Sequence, residues 1–264
     1  MRPSPSELDL LLCETIGVPA MTTRMSCLPA ALSGRKSLAG VSALAAMLAV
    51  FFIALAGLGN RTAQAADAPA LPPAIGPEEP AVTPQKGEDG IYHQKWFVQS
   101  FFDLREDFAE AKAQGKRLAI IFEQRGCIYC VKMHTEVLAK RYINDYVREN
   151  FAVIQFDMWG SREVTDFDGQ KMPEKKLAER WGIMFTPTVI FLKESIDDMK
   201  GQWGQPLEVA RMNLGIGPGT FYDMFAWVRA KVYEQDRNFQ RFHLQRYDER
   251  EKITKEKEGK AKVN

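Results

Sequence analysis

The chain has 264 residues, and its 35 basic and 34 acidic side chains leave a formal net charge of +1. This balance gives no support to a nucleic-acid-binding surface or to attraction by an acidic membrane. Apolar residues make up 45% of the chain, as in ordinary globular proteins, and four cysteines are too few for a disulfide-stabilised scaffold.

The N-terminal region carries the pattern of an export signal. Residues 38–59 are apolar, contain no charge or proline, and follow Arg35 and Lys36. Ala63 and Ala65 then have the spacing that a signal peptidase accepts. The run is also long enough to span a bilayer, so a retained membrane anchor is the alternative. In both cases the positive-inside rule predicts that the rest of the chain is periplasmic, with membrane contact only through this segment.

Composition divides the chain into four segments. We predict a signal peptide or anchor at residues 1–65, a flexible linker at 66–90, a folded domain at 91–235, and a charged tail, helical or disordered, at 236–264. The linker is rich in Ala, Pro, Gly and Glu and shows no hydrophobic periodicity, so we place the start of the folded part near Ile91.

The folded segment alternates between strand-like and helix-like patterns. One helix is expected to have Asp103 as its cap and to end at Gly115. We predict strands at 91–102, 117–123, 151–157, 188–192 and 207–212, helices at 104–114, 127–148, 173–181 and 221–233, and a polar loop at 158–172. Strands that alternate with helices predict an α/β domain with a central sheet.

A Cys-x-x-Cys motif, Cys127-Ile128-Tyr129-Cys130, follows a buried strand and opens a predicted helix. The offset of three residues places both sulfur atoms on one side of the first helical turn, close enough to form a disulfide. Free backbone N–H groups and the helix dipole favour a thiolate at the first position. We therefore predict that Cys127 is the nucleophile and Cys130, one turn deeper, the resolving thiol.

Two other uses of this pair stay open. A structural disulfide without turnover would close a very small loop and so constrain the unfolded chain little. A zinc site needs four ligands, and the other two cysteines, Cys13 and Cys27, precede the export segment. His134 could join a metal site, but we expect it on the helix surface. We predict no metal and no cofactor.

A second signal is Thr186-Pro187, at the head of the predicted strand TVIFL. Proline at the entry to a strand breaks no ladder hydrogen bond, and an X-Pro bond can be cis at modest cost. The pair of residues is a weak signal alone, because a plain turn proline has the same sequence.

With both motifs in place the chain resembles the thioredoxin superfamily. It is most similar to periplasmic thioredoxin-related proteins of the SoxW type, which are associated with bacterial sulfur oxidation. The resemblance runs from about Lys95 to Tyr247 and rests on GCIYC (126–130), VTDFDG (164–169), LAERWGIMFTPTVIFL (177–192) and the stretch at 221–242.

The resemblance implies a thioredoxin fold, in which a central mixed β-sheet is flanked by helices, here with a C-terminal helical extension. It implies an exposed Cys127, a buried Cys130 and a cis Pro187 beside the pair. Thr186 would then offer its backbone to an extended substrate segment. It also implies reducing power supplied across the membrane by a transporter of the DsbD/CcdA type.

Two positions next to the cysteines depart from the thioredoxin pattern. Gly126 stands where the family has a tryptophan, and Ile128-Tyr129 replaces Gly-Pro. We expect Tyr129 to pack beside the pair and shield Cys130, and an exposed aromatic ring is the alternative.

A third departure concerns the proton of the resolving cysteine. Thioredoxin's buried aspartate is replaced by Ile121, so Cys130 must pass its proton to water or to another group. Glu123 is our candidate proton acceptor because it ends an otherwise apolar strand. A glutamate at a strand end is, however, more often solvated.

The sequence therefore predicts an exported thiol–disulfide oxidoreductase that reduces protein disulfides or persulfides. An oxidising compartment requires an electron donor for such a reaction. A dithiol oxidase or isomerase is the alternative within the same chemistry. A non-catalytic binding module or metallochaperone is the alternative from another class of protein.

Overall fold

The computed structural model describes residues 69–213 and 217–263, all within one compact unit, Ala65–Asn264. The predicted signal or anchor segment, with Ala63 and Ala65, lies outside these described residues. Within them, no helix combines the length and the apolar character needed to cross a bilayer.

The described chain alternates between strands and helices. The strands are β1 (Gln85–Lys86), β2 (Tyr92–His93), β3 (Arg117–Glu123), β4 (Phe151–Asp157), β5 (Glu163–Thr165), β6 (Lys171–Pro173), β7 (Thr188–Leu192) and β8 (Glu208–Asn213). The helices are α1 (Leu104–Ala113), α2 (Ile128–Lys132), α3 (Arg141–Asn150), α4 (Glu174–Arg180), α5 (Pro218–Arg229), α6 (Val232–Gln235) and α7 (Phe239–Val263). A π-helical turn, Met133–Val137, follows α2 directly.

A mixed four-stranded sheet in the order β4-β3-β7-β8 forms the centre of the fold. Strand β3 pairs in parallel with β4 and antiparallel with β7, and β8 is the antiparallel edge strand. Two separate hairpins, β1–β2 and β5–β6, lie outside this sheet. The predicted α/β class with a central mixed sheet is confirmed.

Helices cover both faces of the central sheet because side chains along each strand alternate between the faces. Ala119 and Ile121 of β3 belong to one apolar core, which also takes residues from α3 and α5. Ile120 and Phe122 belong to the other, which takes residues from α1 and α4. Every residue of β3 is buried, so whatever the strand carries at its end is held rigidly.

The local signals for α1 are confirmed. The Asp103 side chain caps the helix by accepting a hydrogen bond from the Arg105 backbone N–H at 3.1 Å. Gly115, just after the helix, has φ +69°, a left-handed conformation that glycine adopts without steric cost. Strands β3, β4 and β7 also have the predicted bounds.

The predicted strand at 91–102 is wrong. Only Tyr92–His93 pairs with another strand, because the backbone turns sharply just after it: the Phe97 N–H donates to the Gln94 carbonyl at 3.0 Å. Phe97 is buried in the core beyond this turn. Side-chain burial, and not strand pairing, therefore explains the apolar pattern of the segment.

The continuous helix predicted at 127–148 is also wrong, because it is interrupted between α2 and α3. The π-helical turn closes with a hydrogen bond from the Leu138 N–H to the Met133 carbonyl at 2.8 Å, and Lys140 is extended. The Asn144 side-chain amide donates to the Leu138 carbonyl at 2.9 Å, which satisfies a backbone group that the interruption leaves free.

Several other boundaries differ from the prediction. The loop at 158–172 contains the β5–β6 hairpin, and Pro173 precedes the first turn of α4 as its cap instead of starting it. The helix predicted at 221–233 begins at Pro218 and ends at Arg229, because Lys231 is left-handed with φ +53°.

The proline-rich segment before the domain makes specific contacts with it. The Arg246 guanidinium, on α7, donates to the Pro72 and Pro73 carbonyls at 2.7 and 2.9 Å. The Val82 N–H donates to the Ala139 carbonyl at 2.8 Å. The four domain boundaries stay a prediction, and the described part of the tail is helical from Phe239 to Val263.

Candidate active site

Cys127 and Cys130 form a disulfide at the amino end of α2, and their Cα atoms lie 5.2 Å apart. Cys127 is the N-cap of the helix, and its Sγ accepts a hydrogen bond from the Cys130 backbone N–H at 3.0 Å. Such a donor favours negative charge on this sulfur when the pair is reduced. The geometry suits the nucleophilic role predicted for Cys127.

The two cysteine residues differ little in burial in this disulfide form. Cys127 is 8% exposed and Cys130 is 3% exposed. Cys127 is thus less exposed than the resemblance implies, because the Thr186 carbonyl oxygen lies 3.4 Å from its Sγ.

Gly126 makes the turn between β3 and α2. Its φ is +76°, a left-handed conformation that is costly for any residue with a Cβ atom. A Cβ built on Gly126 would meet no atom within 4 Å outside its chain neighbours, so backbone conformation and not crowding favours glycine here.

Thr186 and Pro187 lie beside the cysteine pair, as the sequence predicts. The peptide bond between them is cis. Thr186 is 6% exposed, and its carbonyl faces Cys127 as described above. Thr188, the first residue of β7, donates from Oγ1 to the Phe185 carbonyl at 2.7 Å and so holds the turn that enters the strand.

Tyr129 forms one wall of a groove beside the disulfide. The groove has a volume of about 200 Å³, and its lining includes Met133, Pro187, Val189 and Met212. Tyr129 is 47% exposed, so its ring borders the groove and stays open to solvent on one side. The structure thus brings together Tyr129 and Pro187, which the sequence analysis assigned to the shaping of the site.

Glu123 is fully buried, so the expectation that a strand-end glutamate is solvated is wrong. Its Oε1 accepts a hydrogen bond from Gln155 Nε2 at 2.7 Å and lies 2.9 Å from His134 Nε2. Its Oε2 is buried and has no hydrogen-bond partner among the described residues. The alternation along β3 places Glu123 on the same face as Ile121, where the thioredoxin superfamily has its aspartate.

His134 is fully buried as well, so its expected place on the helix surface is wrong. It follows Cys130 by four residues, and this offset puts two side chains on one face of a helix. Since Cys130 faces the core, the spacing could have predicted that His134 does too. No comparable signal in the sequence points to its other partner, Gln94, whose Nε2 lies 3.2 Å from His134 Nδ1.

The acidic loop that begins at Asp166 is the turn of the β5–β6 hairpin. Burial raises the pKa of Asp166, whose Oδ2 accepts hydrogen bonds from Trp181 and Arg180. The Arg180 guanidinium lowers the pKa of Asp168. Within residues 69–213 and 217–263 there is no group of three or more His, Cys, Asp or Glu side chains that could hold a metal ion.

The fold and the site together define a class of protein: this chain has a thioredoxin fold with a Cys-x-x-Cys disulfide at the start of a helix, extended by C-terminal helices. Residues 104–207 match the family model of the thioredoxin-like domain. The matched part includes the cysteine pair and Pro187 and ends before the C-terminal helices.

Solved structures with similar folds come from several bacteria. A thioredoxin-fold protein from Helicobacter pylori is 15% identical, with a TM-score of 0.42, over 55% of this chain and 98% of that one. A thioredoxin from Thermus thermophilus is 24% identical, with a TM-score of 0.37, over 48% of this chain and 84% of that one. A disulphide isomerase from Xylella fastidiosa Temecula1 is 18% identical, with a TM-score of 0.33, over 47% of this chain and 87% of that one. No curated protein matches the chain.

Proposed function

We propose that this protein is an exported thiol–disulfide oxidoreductase that reduces protein disulfides or persulfidated cysteines. The observation that carries this proposal is the position of the Cys127–Cys130 disulfide. It lies at the first turn of α2, and the Thr186 carbonyl at the entry to β7 faces the sulfur of Cys127. A helix start that favours a thiolate and a neighbouring backbone carbonyl that can pair with an extended segment suit disulfide exchange with a protein substrate.

The reaction has two thiol–disulfide exchange steps. The Cys127 thiolate attacks one sulfur of the substrate disulfide, forms a mixed disulfide and releases the other substrate sulfur as a thiolate, which takes up a proton. Cys130 then loses its proton and attacks the Cys127 sulfur. This step forms the Cys127–Cys130 bond, breaks the mixed disulfide and releases the second substrate thiolate. One substrate disulfide is reduced and one protein dithiol is oxidised.

Apolar side chains on the surface near the disulfide favour a protein substrate. Ile128 is 64% exposed and Phe185 is 48% exposed, and they neighbour Cys127 and Thr186 in the chain. With Tyr129 they form an apolar surface around a buried reactive sulfur. Exposed apolar surface of this kind marks a site of interaction, and an extended protein segment could cover it while pairing with Thr186.

The physiological setting is part of the proposal. The apolar N-terminal run supports export, and a reductase in an oxidising compartment needs a supply of electrons, for which a membrane transporter of the DsbD/CcdA type is suited. Similarity to SoxW-type proteins supports a role in sulfur-oxidation metabolism. Cell fractionation together with N-terminal sequencing of the mature protein tests export: a cytoplasmic protein with an intact N-terminus would contradict it.

The activity is tested with the purified full-length protein in an insulin reduction assay with a small dithiol as electron source. We expect turnover in the wild type, none in Cys127→Ser, and a trapped mixed disulfide in Cys130→Ser. Cys27→Ser is the matched control, because it removes a thiol outside the motif, and it should retain full turnover. Turnover in Cys127→Ser would overturn the mechanism.

The direction of electron flow is tested by an equilibrium redox titration of the Cys127–Cys130 pair. A reductase should have a reduction potential closer to that of thioredoxin, about −270 mV, than to that of DsbA, about −120 mV. A potential at the oxidising end would replace the reductase with a dithiol oxidase or isomerase that uses the same cysteines.

A further inference from the structure

We propose that His134 is a positioning residue that presents Glu123 as the proton acceptor for Cys130, and that a one-way chain of side-chain hydrogen bonds from Trp96 holds His134 in the required tautomer. This inference rests on the proposed function, because it concerns the second exchange step. All four links of the chain lie within the described residues.

The chain begins at Trp96, whose indole Nε1–H can only donate. It donates to Asn144 Oδ1 at 2.9 Å. The Asn144 amide nitrogen must then be the group that faces the Leu138 carbonyl at 2.9 Å, and this carbonyl can only accept. Partners on both sides therefore fix the orientation of the Asn144 amide.

The orientation of Asn144 passes to the next two side chains. Its Nδ2 also donates to Gln94 Oε1 at 3.1 Å, which leaves Gln94 Nε2 as the group facing His134 Nδ1 at 3.2 Å. Since Nε2 of Gln94 donates, Nδ1 of His134 must accept. A neutral imidazole that accepts at Nδ1 carries its proton on Nε2. His134 can then donate only toward Glu123 Oε1, 2.9 Å away.

The two oxygen atoms of Glu123 are thereby made different. Oε1 accepts hydrogen bonds from both His134 and Gln155. Oε2 is buried and has no hydrogen-bond partner among the described residues. A buried acceptor without a donor is costly in free energy, so a proton is stabilised most when it binds to Oε2.

The hydrogen-bond partners of Glu123 lead toward solvent on the side of β2. Gln155 Oε1 lies 2.5 Å from His93 Nδ1, and the His93 side chain is 37% exposed. Gln94, Gln155 and His93 also line an open polar cavity of about 770 Å³. Water in this cavity can return the proton to solvent once the reaction is complete.

The other titratable and charged groups around the Glu123–His134 pair come from several elements. They are Cys130 on α2, Asp157 in register with Glu123 on β4, Tyr92 and His93 on β2, Asp89 beside His93, and Arg162, whose Nη2 donates to the Gln155 carbonyl. His93 and Arg162 reach Glu123 only through Gln155, whereas His134 touches it directly. Replacement of His134 should therefore change the proton-accepting ability of Glu123 more than replacement of His93 or Arg162.

The second exchange step moves one proton and replaces one sulfur–sulfur bond with another. The Cys130 thiol loses its proton, which Glu123 takes up at Oε2, and the Cys130 sulfur supplies the electron pair of the new bond to Cys127. The bond between Cys127 and the substrate sulfur breaks, and its electron pair leaves with the substrate thiolate. Glu123 then releases the proton to that thiolate or to water.

The test isolates this step in the full-length protein. Reduced protein reacts with a chromogenic aromatic disulfide, and the second release of aromatic thiolate reports the attack of Cys130 on the Cys127 mixed disulfide. With an internal acceptor, the rate should change little across neutral pH. In Glu123→Gln the step depends on hydroxide, so we expect a loss of about 10- to 100-fold near pH 7 and a rise of about tenfold per pH unit.

Two variants of His134 separate positioning from structure. His134→Gln keeps one donor for Glu123 and one acceptor for Gln94. Its rate of the second thiolate release should therefore stay within about threefold of the wild-type rate and keep the flat pH profile. His134→Phe keeps the bulk of the side chain but neither polar group, so its rate and pH profile should approach those of Glu123→Gln. His243→Phe is the matched control, because His243 also bonds to a buried carboxylate, that of Asp223, but lies on α7; it should keep the wild-type profile.

Each outcome decides the proposal. A fast second release with a flat pH profile in His134→Phe or in Glu123→Gln would overturn it. A His134→Gln variant that folds but has the rate and pH profile of His134→Phe would also overturn it. If His134→Phe does not fold, Gln94→Leu removes only the donor to Nδ1 and should steepen the profile partially; an unchanged profile would overturn the chain. If wild-type Cys127 releases no first aromatic thiolate, the proposed function fails, and this result is distinct from failure of the second step alone.

Discussion

Glu123 and His134 share a hydrogen bond of 2.9 Å between Oε1 and Nε2, and neither side chain is exposed to solvent. One residue ends β3 and the other lies in the π-helical turn after α2, so the bond connects the central sheet to the element that carries the cysteines. Polar groups buried this deeply stay in place only when their partners are in place too.

The stability of the fold should depend on both members of this pair. His134→Leu removes a donor from a buried carboxylate, and we expect it to lower the free energy of unfolding by about 3–5 kcal/mol. Glu123→Leu leaves a neutral imidazole that still has Gln94 as partner, so we expect the free energy of unfolding to fall by about 1–3 kcal/mol. Urea unfolding of each single variant and of the double variant measures the coupling. The double variant should cost less than the sum of the two, and strict additivity would show that the pair is not coupled.

Asp223 should hold the C-terminal helix and the proline-rich segment to the domain. Its buried carboxylate accepts hydrogen bonds from Arg250 at 2.8 Å and from Arg246, which also donates to two proline carbonyls. Asp223→Ala would take from the buried Arg246 guanidinium its buried carboxylate partner and leave only the exposed Glu249, 3.5 Å away, so we expect a loss of about 3–5 kcal/mol in the free energy of unfolding together with faster amide hydrogen exchange in α7.

The control for this prediction is an exposed ion pair. Asp197 bonds to Lys112 at 3.2 Å on the surface, so Asp197→Ala should leave the urea midpoint essentially unchanged. Equal effects of the two alanine variants in urea unfolding would contradict the role assigned to Asp223.

The stability of the domain should depend on pH through Asp107. Burial raises the pKa of this carboxyl group above its ordinary value of 3.8, and the hydrogen bond from Ser100 Oγ at 2.6 Å offsets only part of the effect. With a raised folded-state pKa, Asp107 favours folding most at low pH, and this contribution is lost as pH rises through the folded-state value.

Asp107→Asn should remove that loss. Between about pH 3 and pH 6 the stability of the variant should therefore rise relative to the wild type, as measured by urea midpoints at each pH. Ser100→Ala takes away the hydrogen bond that lowers the pKa, so its stability should fall more with rising pH than that of the wild type. A constant difference between wild type and Asp107→Asn across this range would refute the assignment.

Gly126→Ala should destabilise the turn into the active site. The cost comes from the left-handed backbone at φ +76°, since no atom outside the chain neighbours crowds the position, and we expect about 1–2 kcal/mol. Gly259→Ala is the matched control: Gly259 lies inside helix α7 with free space around it, so alanine should leave stability unchanged or raise it by up to about 1 kcal/mol. Thermal unfolding of both variants compares them, and a loss of the same size in both would count against a conformational cause.

Much of the fold could be predicted because its signals are local. The β-branched and aromatic residues of β3, β4 and β7 define buried strands within five to seven residues each. Asp103 and Gly115 mark the two ends of α1 through the backbone groups next to them. The cysteine pair needed only its offset of three residues and a helix start. In each case the determining atoms lie within one turn or one strand.

The sequence by itself thus determined the α/β order, the redox-active type of cysteine motif and the proline beside it. Only the tertiary structure decided that the segment at 91–102 is mostly irregular and that Glu123 and His134 are buried partners. The physical reason is that a polar side chain can be buried only where distant parts of the chain supply its hydrogen bonds. Gln94 and Gln155 supply them here, and neither is close to Glu123 in the chain.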